Sequence, residues 1–112
     1  MAVALGMIEV FGYTTSIVVA DKVAKTADVK VVAIDKNKPA NADKCEVPLM
    51  MVVKFEGNPA AVESALAAGR AEAEKMNMFI TSKIITGLSD DVQWFATLDA
   101  TGRDKLRNRK KK

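Results

Sequence analysis

The spacing of apolar and polar residues divides the chain into a small set of elements. "AVALGMIEVF" (Ala2–Phe11) is an apolar run with β-branched residues, punctuated by Gly12, and predicts a central strand. From Thr14 to Ala27 the period changes to that of a helix. Ser16, Val19, Ala20, Val23, Ala24 and Ala27 form a narrow face of small side chains, and Asp21, Lys22, Lys25 and Asp28 fall opposite. Asp21 and Lys25 have the i,i+4 spacing of an ion pair. "VKVVAID" (Val29–Asp35) and "LMMVVKF" (Leu49–Phe55) predict further strands. A second helix begins at Asn58, a good N-cap, with Pro59 in its first turn. Val62, Ala65, Leu66, Gly69, Ala73 and Met76 share one face, where Ala and Gly let the helix lie close to a sheet. Phe79–Thr86 predicts a fourth strand. "LSDDVQWFATL" predicts a short third helix, with Ser89 as N-cap and Asp90 and Asp91 at the positive end of its dipole.

The order β-α-β-β-α-β plus a short helix predicts an α+β, ferredoxin-like domain: a four-stranded antiparallel sheet with helices on one face. That domain is expected over residues 1–100, with a polar tail over 101–112 released by Gly102. One connection does not fit a minimal version of this fold. Hairpin loops take about two to five residues, but Lys36–Pro48 ("KNKPANADKCEVP") is about thirteen long, is bracketed by Pro39 and Pro48, and holds the only cysteine.

Composition narrows the function more than it names it. A chain of 112 residues, 49% hydrophobic, suits one domain with a real core. No apolar run approaches the roughly 20 residues of a membrane helix, and the first residues read as a strand rather than a signal peptide. A single cysteine makes no internal disulfide, which points to a reducing cytoplasm. The net charge of +3 is unevenly placed. Arg103–Lys112 carries seven basic residues and one acid, and the rest carries ten basic and thirteen acidic residues. There is no histidine, so the usual general base and the usual zinc ligand are missing. Thr15 and Ser16 are hydroxyls without a base, and no phosphate loop or paired-acid motif appears, so no enzyme is expected.

The order of residues around the first helix resembles a known family. Leu5, Gly6, Met7, Ile8 and Glu9, then Gly12, then Asp21, Lys25 and Ala27, then Val29, Lys30 and Val32, match the opening pattern of the hexameric bacterial microcompartment (BMC) shell domain. "GNPAAVESALAAGRAEAEK" resembles the family's Ala-rich second helix, including its glycine at Gly69. The likeness runs from about Leu5 to Thr86. It implies a structural protein rather than an enzyme: a flat homohexamer that tiles with other shell proteins around encapsulated enzymes in the cytoplasm. It implies that Lys25 lies at the hexamer edge, against its counterpart in the next hexamer. It also implies that the long loop falls where the family's pore loop falls, with Asp43, Lys44, Cys45 and Glu46 lining the opening. Pore width and charge would then select small metabolites.

The chain departs from the pattern in two places. The family's short Gly-rich pore turn is absent, and "ITGLSDD" stands where a Pro-Arg-Pro-His-like motif normally helps adjoining hexamers meet. It reads as a divergent, minor shell component.

Cys45 carries the one cofactor expectation. A lone thiol in a loop is by itself no metal motif. A divergent subgroup of these shell proteins, in glycyl-radical propanediol compartments, is associated with a pore iron–sulfur cluster. This chain is similar in its long loop and single cysteine, so the resemblance implies Cys45 as a metal ligand. A 4Fe–4S cluster takes about four ligands, so a hexameric ring holds one only by breaking its own symmetry. Two readings outside the shell class stand beside this one. A ferredoxin-like domain also serves as a dimeric or trimeric ligand-binding or regulatory module. The tail is also suited to RNA or another acidic partner through counterion release. No aromatic interleaves with its basic residues, however, and a solvated tail is the expected reading. Trp94 and Phe95 are expected to be packing residues.

Overall fold

The computed structural model of the chain describes residues 3–37 and 49–98. Strands β1 (Ala4–Phe11), β2 (Lys30–Asn37), β3 (Met50–Gly57) and β4 (Phe79–Ile85) form one sheet. The order is β2-β3-β1-β4, and every pairing is antiparallel. β3 therefore inserts between β1 and β2, which is the split-βαβ arrangement the sequence predicts.

Helix α1 (Tyr13–Thr26) starts from Gly12, whose φ of 91° and ψ of 140° are a backbone conformation that favours glycine. Helix α2 (Pro59–Lys75) starts as expected: the Ala61 N–H donates to Asn58 Oδ1 at 2.9 Å. Its other end is a Schellman turn. The Met78 N–H donates to the Ala73 carbonyl and the Asn77 N–H to the Glu74 carbonyl, both at 3.0 Å, with Asn77 left-handed at φ 63°.

Both helices lie on one face of the sheet. Ala4, Ile8, Val10, Met51, Val53 and Phe55 meet Val19, Val23, Val62, Ala65 and Ala73 in the main core. Close approach explains two glycines. A Cβ on Gly6 would sit 2.5 Å from Phe55 Cε2, and one on Gly69 would sit 2.6 Å from Ile8 Cδ1 and 2.7 Å from Val23 Cγ2. So α2 rests on β1 and α1 at a distance only hydrogen permits.

Three local expectations need correction. Ala24 is exposed and Thr15 is buried, so the inner stripe of α1 is Thr15, Ser16, Val19 and Val23. A methyl side chain has too little apolar area to fix which way its helix face turns. The expected third helix is a 3₁₀ turn (Asp90–Val92) followed by a single-turn helix α3 (Gln93–Ala96). Its start is as expected, since the Asp91 N–H donates to Ser89 Oγ at 3.2 Å. Finally, the sheet is covered on both faces. Leu88, Phe95 and Ala96 fold across the side away from α1 and α2 and pack on Leu5, Met7, Val32 and Ile85.

Candidate functional site

The loop that carries Cys45, Asp43, Lys44 and Glu46 lies outside the described residues, as does the tail. What the structure fixes is the root of that loop. Asn37 ends β2 opposite Met50, the first residue of β3, so the loop leaves and rejoins the sheet at one place. β2 is an edge strand, which puts that place on the rim of the domain. The start of α1 is tied to the same spot, because the Gly12 N–H donates to the Leu49 carbonyl at 2.7 Å.

Around this root the surface is apolar. Tyr13 is 52% exposed and Ile17 47%, with Val18 and Leu49 at the edge of exposure. Tyr13 and Ile17 are spaced i,i+4, so they share an outward face of α1. A helix with a buried stripe on one side and aromatic and aliphatic groups on another has more apolar surface than its own domain can cover.

Lys25 projects from the far end of α1. Its ammonium pairs with Asp21 at 2.9 Å, and its side chain is 73% exposed. An exposed i,i+4 pair contributes only about 0.3–0.5 kcal/mol. Lys25 is therefore available for a role other than holding the domain together.

Sequence reasoning missed the most constrained polar group. Lys54 is fully buried on β3. Its Nζ donates to the Phe95 carbonyl at 2.8 Å and the Leu98 carbonyl at 3.1 Å, and pairs with Asp35 Oδ2 at 3.3 Å. The same ammonium stands 3.7 Å from the centre of the Phe95 ring. Lys54 thus holds the last turn of the described chain, one carbonyl at each end, against the second face of the sheet. Asp35 is held in turn by the Lys36 N–H at 2.9 Å. The signal was a lysine inside an apolar strand, with an aspartate on the same face of the neighbouring strand, two residues from the cross-strand partner Ala33. It was not decisive, because a strand with one open face tolerates a solvated lysine at every second position.

Glu9 lies on the same face as Lys54, between Val52 of β3 and Thr81 of β4. Burial pushes its carboxyl above the ordinary carboxylate value. Ser16 and Thr15 are buried, and the Ser16 hydroxyl donates to the Tyr13 carbonyl, so neither is placed as a nucleophile. Among the described residues no group of three or more His, Cys, Asp or Glu side chains could hold a metal ion. No helix among them is long and apolar enough to cross a membrane. Phe95 packs as expected, whereas Trp94 is 63% exposed and does not.

Comparison with known proteins bears on what this surface is for. The BMC domain family model matches residues 4–88, which includes all four strands and both long helices. The chain is 36% identical over 94 residues to the bacterial microcompartment shell protein EutK of Escherichia coli, covering 84% of this chain and 51% of that one. It is 32% identical over 81 residues to the shell protein PduK of Salmonella typhimurium, covering 72% of this chain and 46% of that one. The chain therefore spans about half the length of the curated relatives it matches. Among solved structures, a microcompartment protein from Desulfitobacterium hafniense superposes with a TM-score of 0.67 at 22% identity. That match covers 91% of this chain and 50% of the other, and it shows the shared fold.

Proposed function

The chain belongs to the BMC domain family, and from that premise we propose that it is a structural subunit of a bacterial microcompartment shell. The observation that carries this reading is the family match across residues 4–88, supported by the similarity to the shell proteins EutK and PduK. In this reading the chain works in the bacterial cytoplasm beside other shell proteins and encapsulated enzymes, and catalyses nothing itself.

The finer reading is geometric. Copies of the chain close into a hexameric ring, and the loop rooted between Asn37 and Met50 surrounds the axis. What favours ring closure is the apolar surface at that root, Tyr13, Ile17, Val18 and Leu49. Asp43, Lys44, Cys45 and Glu46 then line an opening whose width and charge select small solutes. Cys45 thiolates, repeated around the axis, would hold an iron–sulfur cluster there and supply one-electron chemistry. The resemblance to the divergent, cluster-associated shell proteins in loop length and single thiol favours this, and the cluster stands or falls separately from the ring.

The mass of the assembly tests the ring, since a dimer or trimer fits a ligand-binding domain of the same fold instead. An iron assay on anaerobically purified protein tests the cluster. The expected result is iron and a brown chromophore that are lost in Cys45→Ser. A colourless, iron-free wild type eliminates the cluster and leaves the shell reading intact.

A further inference from the structure

The segment after β4 presents an aromatic side chain to solvent for which the shell reading has no use. In α3, Ala96 is buried and Phe95 is half-buried over Lys54. Trp94 points the other way and is 63% exposed, with Val92 beside it at 40%. Its contact with Phe95 is edge-on, at 6.1 Å between centroids and 90° between planes. A single perpendicular contact covers at most one face of the indole, and with the side chain 63% exposed an electron-rich face is left open to attract cations. Asp90 and Asp91 precede it on the same short segment. Both are exposed, and neither carboxylate has an ion pair among the described residues.

We propose that the ridge of Asp90, Asp91 and Trp94 is the docking surface of the chain's own basic tail, Arg103–Lys112. Charge complementarity selects this occupant. The tail carries seven basic residues and one acid, while the remainder of the chain has an excess of acids. Arginine suits the site best, because its planar guanidinium stacks on an aromatic face and still offers hydrogen bonds to carboxylates. Chain length permits the contact. Lys54 fixes the Leu98 carbonyl at 3.1 Å, a single turn beyond Trp94. The stretch from Leu98 to Arg103 reaches about 17 Å when extended, enough to turn back to the indole. The inference does not depend on ring closure.

Trp94 is the only tryptophan, so its fluorescence reports on this ridge alone. The experiment is acrylamide quenching of the full chain at low salt. It is compared with a full-length variant whose tail lysines and arginines are all replaced by Gln, and with the Asp90→Asn, Asp91→Asn double variant. Both variants are expected to raise the quenching constant about twofold, as one ring face is uncovered. At about 1 M salt, where the screening length falls to about 3 Å, the wild type is expected to match them. Equal quenching of wild type and tail-neutral variant at low salt overturns the proposal. So does a difference that disappears on hundredfold dilution of the protein, because the occupant is then the tail of a second copy.

Discussion

Replacing Lys54 asks whether one buried ammonium holds the second cover of the sheet in place. Two substitutions separate its roles. Lys54→Met keeps most of the stem and removes the charge. The Phe95 carbonyl then still accepts the Leu98 N–H at 3.2 Å, and Asp35 still accepts the Lys36 N–H. The part-buried Leu98 carbonyl loses the Lys54 N–H, a loss that costs about 1–3 kcal/mol where water does not replace the donor. Asp35 is 15% exposed, so water takes over part of the lost pairing. The expected destabilisation by Lys54→Met is therefore about 1–3 kcal/mol. Lys54→Ala also removes buried methylenes worth about 0.8 kcal/mol each, which raises the total to roughly 3–5 kcal/mol. Urea denaturation measures both totals, and hydrogen exchange locates them. In Lys54→Met the amides of Leu88 and of Val92 to Leu98 should exchange faster than in wild type, while those of α2 keep their protection relative to global stability. A Lys54→Met protein as stable as wild type, with unchanged exchange in that segment, refutes the anchoring role.

Other substitutions test separate parts of the structure. Gly69→Ala gains about 1 kcal/mol in helix propensity but forces a methyl against Ile8 and Val23, which costs about 1–3 kcal/mol. A net loss is expected, and a gain in urea midpoint would show that the α1–α2 contact is looser than described. Burial raises the Glu9 carboxyl in the folded state, so the fold binds that proton more tightly than the unfolded chain does. Stability is thus lost as pH rises from the ordinary value of 4.5 through the raised one. Glu9→Gln should stabilise the protein at about pH 7, with the advantage fading towards about pH 4, and a pH-independent difference would contradict this. Lys25→Ala should leave monomer stability within about 0.5 kcal/mol of wild type. By electron microscopy it should also impair extended sheets of the assembled protein, and undiminished sheets would remove the edge role.

The fold was legible where periodicity and punctuation agree. Gly12 marks the end of β1 in the sequence and in the structure, Asn58 with Pro59 marks the start of α2 in both, and Ser89 caps the turn that leads into α3. The alternating burial of Ile8, Glu9, Val10 and Phe11 follows from strand geometry. Helix α1 was harder, because its small residues carry little apolar area and leave the helix rotation weakly specified. That is why Ala24 and Thr15 exchange roles. The second cover of the sheet was not legible. It depends on Lys54 meeting carbonyls at Phe95 and Leu98, more than forty residues on, as the sequence separations of 41 and 44 show. Backbone acceptors leave no residue-type signature, so no pattern of side chains announces such a contact. Tyr13 and Ile17 were similarly hidden, since an apolar residue on a helix is normally assigned to the core.

Native mass spectrometry of the purified full-length chain tests the shell reading most directly. A hexamer as the dominant species, lost when Tyr13 and Ile17 are changed to Asp, is the predicted result. A wild-type chain that stays monomeric across the micromolar range would contradict ring closure, and with it the assignment of the loop rooted between Asn37 and Met50 to a pore.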